Sequence, residues 1–203
     1  MSTSTTPRGR RPGAPDTRSA ILTAARTSFA DRGFAGTTIR GIASAAGVDA
    51  ALVHHYFGTK DDLFVAALEL PVDPREAIAP ALVGGPDGAG ERVLRVFVGV
   101  WDDPANTPVF VALARTLLDP SASHLLREGF LPVVLHPVGR ALGLDRPELR
   151  MSLVASQILG IVLGRYVLAL EPLASLPSDA VVAAYAPTIQ RYLTGDLPLT
   201  LLR

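Results

Sequence analysis

The feature that most constrains this chain is a glycine between two short apolar periodicities, Gly47 within TTIRGIASAAGVDAALVHHYFGTK at 37–60. Thr38 can cap a helix start, because its hydroxyl accepts a hydrogen bond from an amide that the first turn leaves unpaired. Ile39, Ile42 and Ala43 then recur at the three-and-four spacing of one helix face. Gly47 supplies the left-handed backbone that stops such a helix after about Ala46. Val48 reads as a buried plug. Asp49 can cap a second helix to about Tyr56, with Val53 and Phe57 four apart on its apolar edge. Gly58 closes it, and Thr59 opens another helix with Asp62 three residues on, in capping-box spacing. Two short helices across a glycine turn predict a helix-turn-helix, a motif whose second helix enters the DNA major groove.

The run from Ile21 through Phe64 resembles the DNA-binding domain of the tetracycline-repressor family of bacterial regulators. The likeness is carried by Phe29 and Gly33 closing the first helix, by Thr37-Thr38-Ile39-Arg40, and by Ile42-Ala43 ahead of Ala46-Gly47-Val48. His55-Tyr56-Phe57-Gly58-Thr59-Lys60 and the following Asp62-Leu63-Phe64 complete about 45 residues without a gap. One departure stands out: many relatives have tyrosine where this chain has His54. The resemblance implies an all-α fold, with an N-terminal three-helix helix-turn-helix domain and a C-terminal helical domain for ligand binding and dimerisation. The division expected is a basic arm at 1–16, a DNA-binding domain at 17–64 and an effector-binding and dimerisation domain at 65–203.

Candidate DNA contacts follow from the motif and the resemblance together. Arg40 occupies a position similar to a DNA-contacting one in relatives, and its guanidinium can fork to a guanine or a phosphate. Thr38 stands two residues before it. Ala50 and Ala51 occupy positions where relatives place base-contacting residues. Lacking hydrogen-bonding groups, they can read only shape or thymine methyls. His54, His55 and Tyr56 can donate to phosphates, and Lys60 sits at a helix start near the backbone. Arg18 can reach a phosphate or remain a solvated charge.

Charge is distributed to match. The chain is neutral as a whole, but residues 1–60 hold eight basic and three acidic side chains. The rest holds eleven basic and sixteen acidic. A surplus of five positive charges at one end suits a module that docks on phosphates with that end only. Ahead of it, residues 1–16 lack apolar periodicity and are expected to be disordered. Arg8, Arg10 and Arg11 between Pro7 and Pro12 look like a minor-groove hook, the alternative being a solubilising leader.

No cysteine is present, which excludes disulfides and thiolate metal sites and suits a reducing cytoplasm. His54 and His55 point about 100° apart on a helix with no third ligand near, so no metal is expected. No other cofactor is indicated. The longest apolar run, Met151–Gly164, spans roughly 21 Å as a helix against the roughly 30 Å of a bilayer core, so no membrane partner is expected. Paired carboxylates, a Ser-His-Asp set and a phosphate loop are all lacking, which argues against an enzyme.

Pro and Gly punctuate a series of expected helices. They run over about 17–32, 60–70, 74–83, 91–101, 107–118, 121–130, 145–170 and 178–194. Pro132 and Pro137 forbid a regular helix between the sixth and seventh, and Asp145 with Glu148 is expected to open the long one. Gly160 and Gly164 form a Gly-x-x-x-Gly that lets another helix approach closely. In the resembled family the last two long helices pair with their copies in a second subunit. This assigns Val154, Gly160, Ile161 and Gly164 to a homodimer interface or just beneath it, the alternative being packing within one subunit. A single recognition helix reads few base pairs, which independently favours a two-fold dimer on double-stranded DNA. Phe97, Trp101 and Phe110 lie on helices that enclose an effector cavity in relatives, with Arg115 and Gln157 as candidate polar anchors for a small molecule. Each can equally be plain core or surface. The function expected is a homodimeric regulator, in particular a repressor released from a palindromic operator by a small hydrophobic ligand. An effector-independent architectural DNA binder is the alternative.

Overall fold

The computed structural model describes residues 16–117 and 124–197. Arg8, Arg10, Arg11, Leu118 and Ser121, and with Ser121 the expected start of a helix, lie outside them. Among the described residues every regular element is helical, and no helix is long and apolar enough to cross a membrane.

Four short elements build the N-terminal head: α1 (Thr17–Gly36), α2 (Ile39–Ala46), α3 (Ala50–Phe57) and α4 (Lys60–Ala67). Regular geometry in α1 breaks at Gly33, whose φ of 68° and ψ of 175° lie outside the helix region. That is the expected stop after Arg32. The buried Thr37 hydroxyl secures the break, lying 2.8 Å from the Ser28 carbonyl and 2.7 Å from that of Gly33. The three following helices open on the caps expected of them. Thr38 accepts from the Gly41 amide and Asp49 from the Ala51 amide, while Thr59 and Asp62 cap each other's backbone reciprocally. Gly47 takes the left-handed conformation at φ 68° and lets α3 turn back across α2. Ile21, Ala25, Phe29, Ile42, Val53, Phe57, Leu63 and Phe64 fill the core. Phe29 and Phe34 stack at 5.8 Å between centroids, and the Phe64 ring meets both edge-on.

α4 ends at Ala67, short of the expected Leu70. The residue before a proline is disfavoured in the helical region, so the chain unwinds ahead of Pro71. Glu69 takes a positive φ of 49° and pairs with Arg26.

The C-terminal body comprises α5 (Pro74–Leu82), α6 (Ala89–Asp102), α7 (Thr107–Leu117), a wide-turn segment Leu125–Leu135, α8 (His136–Ala141), α9 (Pro147–Ile161), a second wide-turn segment Val162–Val167, and α10 (Ser178–Thr194). Its core gathers Leu94, Val98, Met151, Val154, Ile161, Val181, Ile189 and Leu193. α6 and α10 lie nearly in backbone contact. A Cβ on Gly90 would stand 2.7 Å from the Gln190 amide nitrogen, and the Gln190 side chain instead accepts from the Gly90 amide at 2.9 Å.

Two expectations for the body fail, and one holds in a form the sequence did not specify. Pro132 and Pro137 exclude a regular α-helix, yet a wide-turn segment and α8 carry the chain through them. Pro132 lies inside the i→i+5 segment, where the wider turn moves away the carbonyl its ring would strike, and Pro137 stands in the first turn of α8. Asp145 does not open α9. Its carboxylate accepts from Arg150 Nε at 2.8 Å, and Arg146, ahead of Pro147, takes the left-handed conformation at φ 47°. The long helix does not reach Leu170 in α form. It widens from Val162, and Ala169 turns the chain at φ 50°.

Head and body share a joint. Val133 and Val134 of the first wide-turn segment are buried in the head core. Gly129 meets the Phe64 ring so closely that a Cβ there would collide with it. His124 Nε2 lies 3.2 Å from the Phe29 carbonyl, closing the same seam.

Candidate nucleic-acid interface

α3 is held from behind and open in front. Val53 and Phe57 anchor its inner face, while Ala51, His54, His55 and Tyr56 are exposed. Of the two alanines expected at the groove, Ala51 faces outward, whereas Ala50 packs against the head core. The His54 ring is tied to the end of its own helix, Nδ1 lying 2.8 Å from the Gly58 carbonyl. His55 and Tyr56 meet edge-on at 5.6 Å. Tyr56 is therefore a surface aromatic, not a core one.

Arg40 is exposed in the first turn of α2, and the Thr38 oxygen that caps this helix retains a hydroxyl hydrogen free to donate. Arg18 is exposed on α1 with its guanidinium 5.2 Å from the centre of the Phe57 ring. Lys60 lies partly covered, its ammonium 4.3 Å from the Phe34 ring centre. Burial there pushes its pKa below the ordinary lysine value, against the opposing pull of Asp61. Arg18, Arg40, Lys60 and α3 thus belong to one small body, and short capped helices fix their mutual positions.

The body candidates fall into two groups. Trp101 gathers Phe97, Phe110 and Tyr166 around it at centroid distances of 5.5, 5.1 and 5.0 Å. Arg115 is exposed on α7 and Gln157 half-buried on α9. Val154 and Ile161 lie in the subunit's own core, and Gly164 is covered by Leu173. Gly160 is exposed, with open space where its Cβ would be, so it alone of the four presents a surface that a second chain can touch.

Sequence reasoning missed what surrounds Trp101. The Asp102 carboxylate accepts from the Tyr166 hydroxyl at 2.9 Å, the Ser178 hydroxyl at 2.5 Å and the Arg165 guanidinium at 3.2 Å. Burial first, then the bond to Asp102, pushes the Tyr166 phenol above its ordinary pKa. The available signal was Arg165-Tyr166 closing the apolar run, since a cation there needs a partner. The Phe64–Gly129 contact left no signal in the sequence.

A capped helix pair whose second helix keeps an open outer face defines a DNA-binding helix-turn-helix protein. Residues 21–67 match the family described as bacterial regulatory proteins, tetR family, and residues 87–193 match the tetracyclin repressor-like C-terminal domain. The chain belongs to the TetR family of bacterial transcriptional regulators. The HTH-type transcriptional repressor NicS of Pseudomonas putida is 32% identical over 145 residues, 66% of this chain and 68% of that protein. An HTH-type transcriptional repressor of Mycobacterium tuberculosis is 47% identical over 57 residues, 28% of this chain. The match spans only 30% of that repressor's length. A TetR-family regulator of Streptomyces coelicolor of known structure is 45% identical, with 91% of this chain and 98% of that one covered and a TM-score of 0.48.

Proposed function

We propose that this chain is a cytoplasmic homodimeric repressor that binds a palindromic operator and leaves it when a small hydrophobic ligand binds the body. The observation that carries the reading is the outward face of α3, left exposed on the same small head as the exposed Arg40 and Arg18. Two such heads on a two-fold axis reach successive major grooves about 34 Å apart. The aromatic cluster around Trp101 supports an apolar ligand site, with Arg115 and Gln157 as its candidate polar anchors. Exposed Gly160 supports a partner helix packing closely on α9. Release is a population shift: ligand favours a conformer whose head spacing no longer matches the grooves.

Selection of bound duplexes from random DNA tests the reading, followed by release with a panel of apolar metabolites. An inverted repeat is the expected product, with binding weakened by Arg40→Ala and by Tyr56→Phe. A preference no greater than that for competitor DNA would replace the repressor with an architectural binder.

A further inference from the structure

The outward face of α3 carries no permanently charged group. Its exposed positions are Ala51, His54 and His55, with Tyr56 beside them. The tautomer of His54 follows from geometry. A carbonyl oxygen only accepts, so the 2.8 Å contact with Gly58 places the hydrogen on Nδ1. A neutral ring so held offers its surroundings a bare Nε2 lone pair, which repels a phosphate oxygen. Uptake of one proton turns that atom into a charged donor with no rotation of the ring.

We propose that His54 is a proton-gated phosphate contact, so that each head takes up a proton on binding DNA and binds more tightly as pH falls. This rests on the DNA-binding reading of α3 and adds a regulated contact to it.

The charged and titratable neighbours permit this. α3 itself and its cap carry Asp49, His55 and Tyr56, α2 carries Arg40, and Arg18 of α1 lies over Phe57. On α4 stand Lys60, Asp61 and Asp62. Lys60 rests on Phe34, and the Asp62 carboxylate beside Gly58 is held by Thr59 and Arg75. None of these contacts engages His54 Nε2, and the negative charge that draws the proton is the phosphate.

The test is the affinity of the full-length protein for a labelled random-sequence duplex pool at pH 7.5 and pH 5.5, across a range of salt. Affinity should rise about tenfold for each head at the lower pH, the gain from one charge-assisted hydrogen bond to a phosphate. The slope of log affinity against log salt should steepen by about 0.9 per head, the mark of one more neutralised phosphate. His54→Tyr should lose most of both effects, whereas His124→Gln and His136→Gln should keep them. Unchanged thermal unfolding of His54→Tyr excludes a folding defect. Binding with the same affinity and salt slope at both pH values overturns the proposal and leaves the DNA-binding reading standing, as does a His54→Tyr variant that keeps the full gain. No binding at either pH overturns both.

Discussion

Head and body seal their helix ends by different means. In the head, the three eight-residue helices each open on a residue at most three positions away: Thr38 to Gly41 at 3.1 Å, Asp49 to Ala51 at 2.7 Å, and Thr59 with Asp62. In the body, α5 opens on Asp73 in the same way, but α6, α9 and α10 begin without a side-chain cap. At helix C-termini and in loops, arginines from other elements collect carbonyls. Arg92 reaches those of Ala81, Gly85 and Asp87, and Arg150 those of Tyr192 and Gly195. Arg165 takes those of Leu173, Ala174 and Leu176 while pairing with Asp102. The difference follows from length. An eight-residue helix leaves about as many backbone groups unpaired as it pairs, so it needs local caps. Longer helices are held by packing, and their ends can wait for tertiary partners. The part that presents α3 to DNA is thus defined mainly by near neighbours, and the part that carries the effector candidates by distant ones.

The largest effect should come from Arg165→Met. It orphans three carbonyls and leaves Asp102 without its cation, and should cost about 3 kcal/mol, read from urea unfolding followed by the fluorescence of Trp101, the only tryptophan. Gly90→Ala should cost about 2 kcal/mol in the same assay by forcing α6 from α10. A near-neutral result there would mean that the two helices adjust freely, and the body's dependence on distant contacts would be overstated. Thr59→Ala removes one local cap and should cost about 1 kcal/mol, with reduced duplex affinity as α4 frays beside α3. If it cost more than Arg165→Met, the contrast between the regions would be inverted.

The smallest effect concerns acid. The Thr59 hydroxyl first, then the Thr59 amide and Arg75, hold the Asp62 carboxyl below its ordinary pKa despite opposing burial. A carboxylate depressed on folding contributes stability above its unfolded value, about 3.9, and loses it as pH falls through the folded value. Helicity should therefore decline below about pH 4, and Asp62→Asn should decline less steeply. The group is 40% exposed in its side chain, so solvent screening keeps the difference small.

These contrasts explain what was legible. Thr38, Gly47, Asp49 and Thr59 act within a few residues of themselves, and a residue type at a fixed spacing suffices to place them. Gly33 likewise stops α1 because its own backbone can. Pro132 ruled out the regular helix as expected, but the wide turn that admits it packs against α1 and Phe64, which no local spacing announces. Asp145 misled because a better donor, Arg150, lay five residues on. Lys60 was foreseen at a helix start, but its rest on the Phe34 ring depends on how α1 crosses α4.

From sequence alone came the all-α class, the glycine-hinged helix pair, the uneven charge and the side chains that face outward from α3, because periodicity, capping and backbone freedom are properties of neighbouring residues. Tertiary structure alone decided that Ala50 turns inward, that Gly160 stays open while Val154 and Ile161 are enclosed, and that Asp102 gathers Arg165, Tyr166 and Ser178. Such contacts join residues dozens of positions apart, and they exist only once the chain has closed the loops between them.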